Sequence, residues 1–169
     1  MNKRPRIKIR PTALDYTIEV FAVLSVLAVI ILYAIYWTKA PEIVPIHYNI
    51  YGEADGWGSK TESLSLPITA VFFYIGLTIL NKYPHIFNFP TTVTEQNAFS
   101  LYKIATRMMR WLKLLLCLLF AYMIWHELRI IITNQESKLD GSWLFIAVML
   151  FILIFSIVKM IKKPKNYII

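Results

Sequence analysis

Of the 169 residues, 57% are hydrophobic and only 17% are charged, against roughly 25% charged in an average soluble domain, and the mean hydropathy is +0.54. A water-soluble fold of this size could not hide that much apolar surface, and too little of the chain is polar for disorder. The basic balance, 18 Lys+Arg against 10 Asp+Glu, reports cations retained on the cytoplasmic side of a membrane and not a nucleic-acid partner, while the lone Cys117 excludes an intramolecular disulfide framework.

The first apolar run spans residues 18–37, long enough to cross a hydrocarbon core at about 1.5 Å per residue. Thr12 followed by Asp15 forms a capping-box pattern at its start. Asp15 and Glu19 occupy the first turns, where the helix dipole favours negative charge, and Glu19 is read as answering Arg10 or that dipole. Five basic residues precede the run, as in a signal peptide. The run is longer than a signal core, however, and no small-x-small cleavage site follows, so an uncleaved span is expected. A second, shorter run covers 64–80, with Pro67 in its first turns, where a missing N–H costs little.

Residues 92–95, Thr-Val-Thr-Glu, offer a helix start. After them, Gln96, Ser100, Lys103, Arg107 and Arg110 alternate at helical period with Ala98, Leu101, Tyr102, Ala105 and Met108. This basic amphipathic stretch, 95–113, is suited to anionic lipid, to packing on other helices, or to a cytoplasmic partner. It leads into a third span at 109–128, with Lys113 expected to reach the headgroups at one end and His126 and Glu127 at the other interface. The fourth span is 143–161. The expected architecture is all-α: a single four-span integral membrane domain over 1–169, with an ordered extracytoplasmic loop between the first two spans.

Charge sets the direction. Lys3, Arg4, Arg6, Lys8 and Arg10 precede span one; Lys82, Lys103, Arg107, Arg110 and Lys113 lie between spans two and three; Lys159, Lys162, Lys163 and Lys165 close the chain. The opposite side holds only Lys39, Lys60, Arg129 and Lys138. The richer side is expected to be cytoplasmic, with both termini inside a bacterial cell membrane. Trp37, Trp57, Trp125 and Trp143 then fall near the outer face, as an aromatic belt would.

The loop after span one reads PEIVPIHYNIYGEADGWGSK over residues 41–60. Residues 43–51 read as extended, with Pro45 confining them to an edge, and 53–56, Glu-Ala-Asp-Gly, read as a turn. Tyr48, Tyr51 and Trp57 are expected at the span ends or the membrane interface, with Trp57 anchoring the loop. The spacing of Pro41, Val44, Pro45, His47, Tyr48, Asn49, Gly52, Asp55, Trp57 and Lys60 resembles the bacterial membrane domain catalogued as domain of unknown function 1648. A second stretch, Asn81, Pro84, Asn88, Pro90, then 95–97 and Tyr102, looks like the same group, so that the resemblance covers about residues 20–110. It implies a small multi-span bacterial membrane protein. The same domain forms the front part of SdpI-like proteins, which protect a producing cell from its own secreted toxic peptide, take part in signalling, and carry a further membrane portion.

The side chains themselves point to binding and not to catalysis. The sequence has no Gly-rich phosphate loop and no nucleophile elbow, and no carboxylate pair falls inside a span. No cofactor is implied. The outer recognition surface is read as Pro45, His47, Asn49, Gly52, Asp55, Trp57 and Lys60. One reading of His47 has it order the loop by hydrogen bonding to backbone; another joins it to His126 and Glu127 around a metal such as zinc, although no ligand spacing demands one. The partners expected are the lipid bilayer, a secreted peptide at the outer face and a cytoplasmic protein at 95–113, with a homo-oligomer left open. The competing function is a small transporter subunit or membrane accessory.

Overall fold

The computed structural model describes residues 4–133 and 141–162; Lys3, Lys138, Lys163 and Lys165, which entered the charge reading, lie outside them. Four long helices carry the fold: α1 (Ala13–Lys39), α2 (Ser65–Leu80), α3 (Ala98–Thr133) and α4 (Ser142–Lys162). With the 3-10 turn Glu62–Leu64 leading into α2, each is long and apolar enough to cross a membrane. Their outer faces are apolar: Val20, Phe21, Leu24, Leu27 and Ile31 of α1 and Phe151, Ile154 and Phe155 of α4 all point away from the protein. An apolar outer surface of that extent is stable against lipid tails and not against water, which gives the chain the make-up of a multi-pass membrane protein.

The fold is not purely helical. Residues 41–60 form an antiparallel hairpin of β1 (Ile43–Tyr48) and β2 (Ala54–Ser59). Residues 54–56 of the expected turn are therefore strand, and the expected extended run ends at Tyr48 and not at 51; the reversal comes between Tyr48 and Ala54.

The start of α1 follows the local sequence. Asp15 N–H donates to Thr12 Oγ1 and Thr12 N–H donates to Asp15 Oδ2 at 2.8 Å, the reciprocal bonds of a capping box. Pro67 falls in the first turn of α2, as expected. The basic amphipathic stretch and the third span are one continuous helix, α3, about 54 Å long at about 1.5 Å per residue. It begins at Ala98, three residues after Glu95, because Asn97 ties the preceding turn: its Oδ1 accepts from Thr94 N–H and its Nδ2 donates to Thr92 C=O.

The helices pack mainly on α3, with α1 beside it along most of its length. Val29, Tyr33, Tyr36, Ala40, Val44, Ala70 and Ile124 form one buried cluster at the hairpin end. At the opposite end Leu101, Tyr102, Ala105 and Met160 form another, covered by Ile7, Ile9, Phe87 and Phe89. Residues 4–12 lie along this second cluster, where Tyr102 Oη donates to Pro5 C=O and Arg4 Nη1 donates to Phe87 C=O at 2.6 Å.

Candidate functional site: the hairpin and the ion ladder

The hairpin is tied to the helices at several points. Val44 is buried in the core cluster beside Tyr36 and Ala40. The Lys60 ammonium lies 4.7 Å from the centre of the Trp37 ring, and Lys60 N–H donates to Glu42 C=O, closing the base of the hairpin. Ser63 Oγ donates to Lys60 C=O, which leaves Tyr33 Oη to donate to Ser63 Oγ at 2.9 Å. At the tip, Trp143 Nε1 of α4 donates to Ile50 C=O at 3.1 Å.

The motif residues divide into builders and presenters. Asn49 and Gly52 make the reversal. Asn49 Oδ1 accepts from Tyr51 N–H and Glu53 N–H, and Gly52 adopts φ 76°, where a Cβ would be strained. Pro45 sits opposite Trp57 in the register, on a strand whose open edge needs no proline N–H. Lys60 closes the base. Two glycines outside the sequence-derived site matter here. A Cβ on Gly56 would lie 2.9 Å from His47 Cβ, and one on Gly58 would strike Ile46 and the Glu62 carboxylate that accepts from Ser59 N–H. The local signal for them was present in the run ADGWGS, but its glycines and aspartate look like turn residues.

His47, Asp55 and Trp57 face outward. His47 Nδ1 lies 2.5 Å from Asp55 Oδ1, with the imidazole side chain 71% exposed, so this pair orients the ring and adds about 0–1 kcal/mol of stability. Trp57 is exposed; the anchoring expected of it is carried by Val44 and by Lys60 on Trp37. Ile43, Ile46, Ile50 and Tyr51 are exposed on the same hairpin. His126 and Glu127 do not join His47: they are buried in α3, with His126 Nδ1 3.8 Å from Glu127 Oε1. Among the described residues no group of three or more His, Cys, Asp or Glu side chains has the proximity to hold a metal.

A second constellation lies toward the other end of α1, where its two acids face three bases of α3. Arg107 Nε donates to Asp15 Oδ1 at 2.8 Å and its Nη2 donates to Thr12 Oγ1. Arg110 bridges Asp15 and Glu19, at 3.7 and 3.2 Å. Lys113 Nζ donates to Glu19 Oε2 at 2.5 Å and to Thr78 Oγ1 of α2 at 2.9 Å, and lies 5.0 Å from the Tyr74 ring centre. Two expectations are corrected here. Lys113 is 1% exposed and does not reach out to headgroups, because a carboxylate lies within reach inside the protein. Glu19 answers Arg110 and Lys113 and not Arg10. Spacings of four residues on α1 and three on α3 put each set on one helical face.

The class defined by these features is a four-helix chain of multi-pass type with a small β-hairpin fixed between its first two helices. Residues 23–71, from within α1 through the hairpin into α2, match the family model described as Domain of unknown function (DUF1648), so the chain carries this domain. The match ends before the second motif stretch at 81–102. A curated protein of Archaeoglobus fulgidus, called an uncharacterized protein, is 30% identical over 93 residues, which cover 48% of this chain and 51% of that relative. The chain thus spans about half the length of the curated relative it matches. No solved structure matches.

Proposed function

We propose that this is a non-enzymatic binding or sensing protein of a bacterial cell membrane, with the hairpin as its recognition surface on the outer side and both helix-bundle termini in the cytoplasm. The observation that carries the reading is the division of labour in the hairpin: its buried residues fix it to the bundle, while His47, Asp55, Trp57, Ile43 and Ile46 face outward. Among the described residues the sheet has two strands, so each has one edge that pairs with no other strand. An extended peptide can add to such an edge through backbone hydrogen bonds, with side-chain contacts giving selectivity. A secreted toxic peptide of the producing strain has that chemistry, and immunity or signalling is the role it implies.

Deleting the gene should make the strain sensitive to its own spent medium, and the wild-type gene should restore growth. At equal membrane abundance, His47→Ala with Trp57→Ala should fail to restore it. A deletion strain that grows normally in spent medium excludes immunity. Full protection by the double variant excludes the hairpin as the recognition surface.

The buried ladder supports a second reading, a small transporter subunit or accessory, because ionisable groups within membrane helices often mark ion or solute paths. Ion flux into vesicles carrying the purified protein, lost in Glu19→Gln, is the result this reading requires.

A further inference from the structure

Helices α3 and α4 touch at both ends and part between them. Tyr122 and Phe145 rings meet at 5.6 Å near the hairpin end, and Met160 packs beside Leu101 and Tyr102 at the other. The intervening groove has a volume of about 710 Å³, within the roughly 300–1,000 Å³ of small-molecule sites. Ile104, Met108 and Trp111 of α3 line its deeper part, facing Val148, Phe151 and Ile152 of α4. Toward the start of α3 and the end of α4 the lining adds polar groups, with Ser100 and Lys103 across from Ser156 and Lys159; Phe155 lies among them and Arg107 beside Met108. Among the described residues that line it, every charged one is a cation.

We propose that this groove binds one anionic glycerophospholipid, with an acyl chain along the apolar stripe and the phosphate at Lys103 and Lys159. The two helices contribute the same spacing in opposite directions. That places both lysines at one end and the tryptophan and valine at the other, the polarity of a lipid lying along the bilayer normal. Arg107 is committed to Asp15 and Thr12. Among the described residues, the contacts of the Lys103 and Lys159 ammonium groups are with the rings of Phe99 and Phe155 of their own helices, at about 6 Å, a geometry that leaves room for a phosphate. A second copy of the chain fits less well, since it would have to bring a carboxylate and an apolar wedge in the same order. The groove adjoins the ladder at Arg107, which belongs to both, and is independent of the hairpin's role.

Native mass spectrometry of the detergent-purified full chain, titrated with phosphatidylglycerol or phosphatidylcholine of the same acyl chains, tests it. The wild type should favour phosphatidylglycerol by about tenfold or more, since each nearby lysine contributes several-fold. Lys103→Gln with Lys159→Gln should abolish that preference, whereas Lys103→Arg with Lys159→Arg should keep it. Lys8→Gln with Lys82→Gln, outside the groove, should also keep it. Ile152→Trp should lower binding of both lipids by filling the groove. Equal binding of the two lipids by the wild type overturns the proposal. So does an equal loss in the Lys8/Lys82 control, unchanged binding in Ile152→Trp, or a dimer disrupted by Ile152→Trp.

Discussion

Lys113 shows most directly what a single residue does in this protein. A buried ammonium costs several kcal/mol to desolvate and persists only with a partner. Here the partners come from two other helices, Glu19 on α1 and Thr78 on α2. Removing the carboxylate should strand the charge, so Glu19→Leu should destabilise by about 3–5 kcal/mol. Lys113→Met should cost less, because Glu19 is part-exposed and keeps Arg110. The double variant should recover part of the loss, and denaturation of all four proteins in mixed micelles gives the coupling. Additive losses would mean that the two side chains do not depend on each other. None of this was readable along the chain. Glu19 and Lys113 are 94 residues apart, and only the packing of α1 on α3 brings them together. The capping box of Thr12 and Asp15 was readable, because its geometry is set within three residues.

At the scale of elements, the helices and the hairpin differ in how they can be inferred. Helix spans follow from length and hydropathy, which need no knowledge of neighbours. The expected 18–37 and 143–161 fall inside α1 and α4. The hairpin depends on contacts across strands. Its second strand has poor strand formers at Gly56 and Gly58, selected by the absence of a side chain and not by strand preference. Gly58→Ala should therefore dislodge Glu62 and loosen the hairpin base. Gly52→Ala should cost about 1–2 kcal/mol at the reversal. Trp143→Phe, which removes the donor to Ile50 C=O and part of the ring, should cost about 1 kcal/mol from the lost hydrogen bond. Hydrogen exchange at residues 49–59 should rise in all three, with exchange in α1 unchanged. Faster exchange in α1 as well would show that the hairpin holds the bundle together and does not merely sit on it.

For the whole molecule the decisive quantity is which end faces the cytoplasm. The ladder, the start of α1 and the end of α4 share the side rich in lysine and arginine, and the hairpin holds the poorer one. In a chain with Cys117 replaced, a cysteine at Ser59 should react with an impermeant thiol reagent in intact cells, while one at Asn88 should react only after lysis. The reverse pattern overturns the orientation and, with it, the outward role of the hairpin. Helix α3, at about 54 Å, exceeds a hydrocarbon core of about 30 Å. Its first turns are covered by the strap of residues 4–12 and by the phenylalanines at 87 and 89.

The ladder also imposes an order on biosynthesis. Asp15 leaves the ribosome 92 residues ahead of Arg107, and at about 5–20 residues per second this is a wait of roughly 5–20 s. Throughout that interval α1 carries two carboxylates with none of their three partners on α3, Arg107, Arg110 and Lys113, yet made. The early helix must hold them at the headgroups or in the insertion machinery, and settles to its final depth only when α3 arrives. A force-sensing arrest peptide placed at increasing distances along the nascent chain should record a second pull as residues 107–113 enter the membrane, and that pull should vanish when Asp15 and Glu19 are both replaced by Leu.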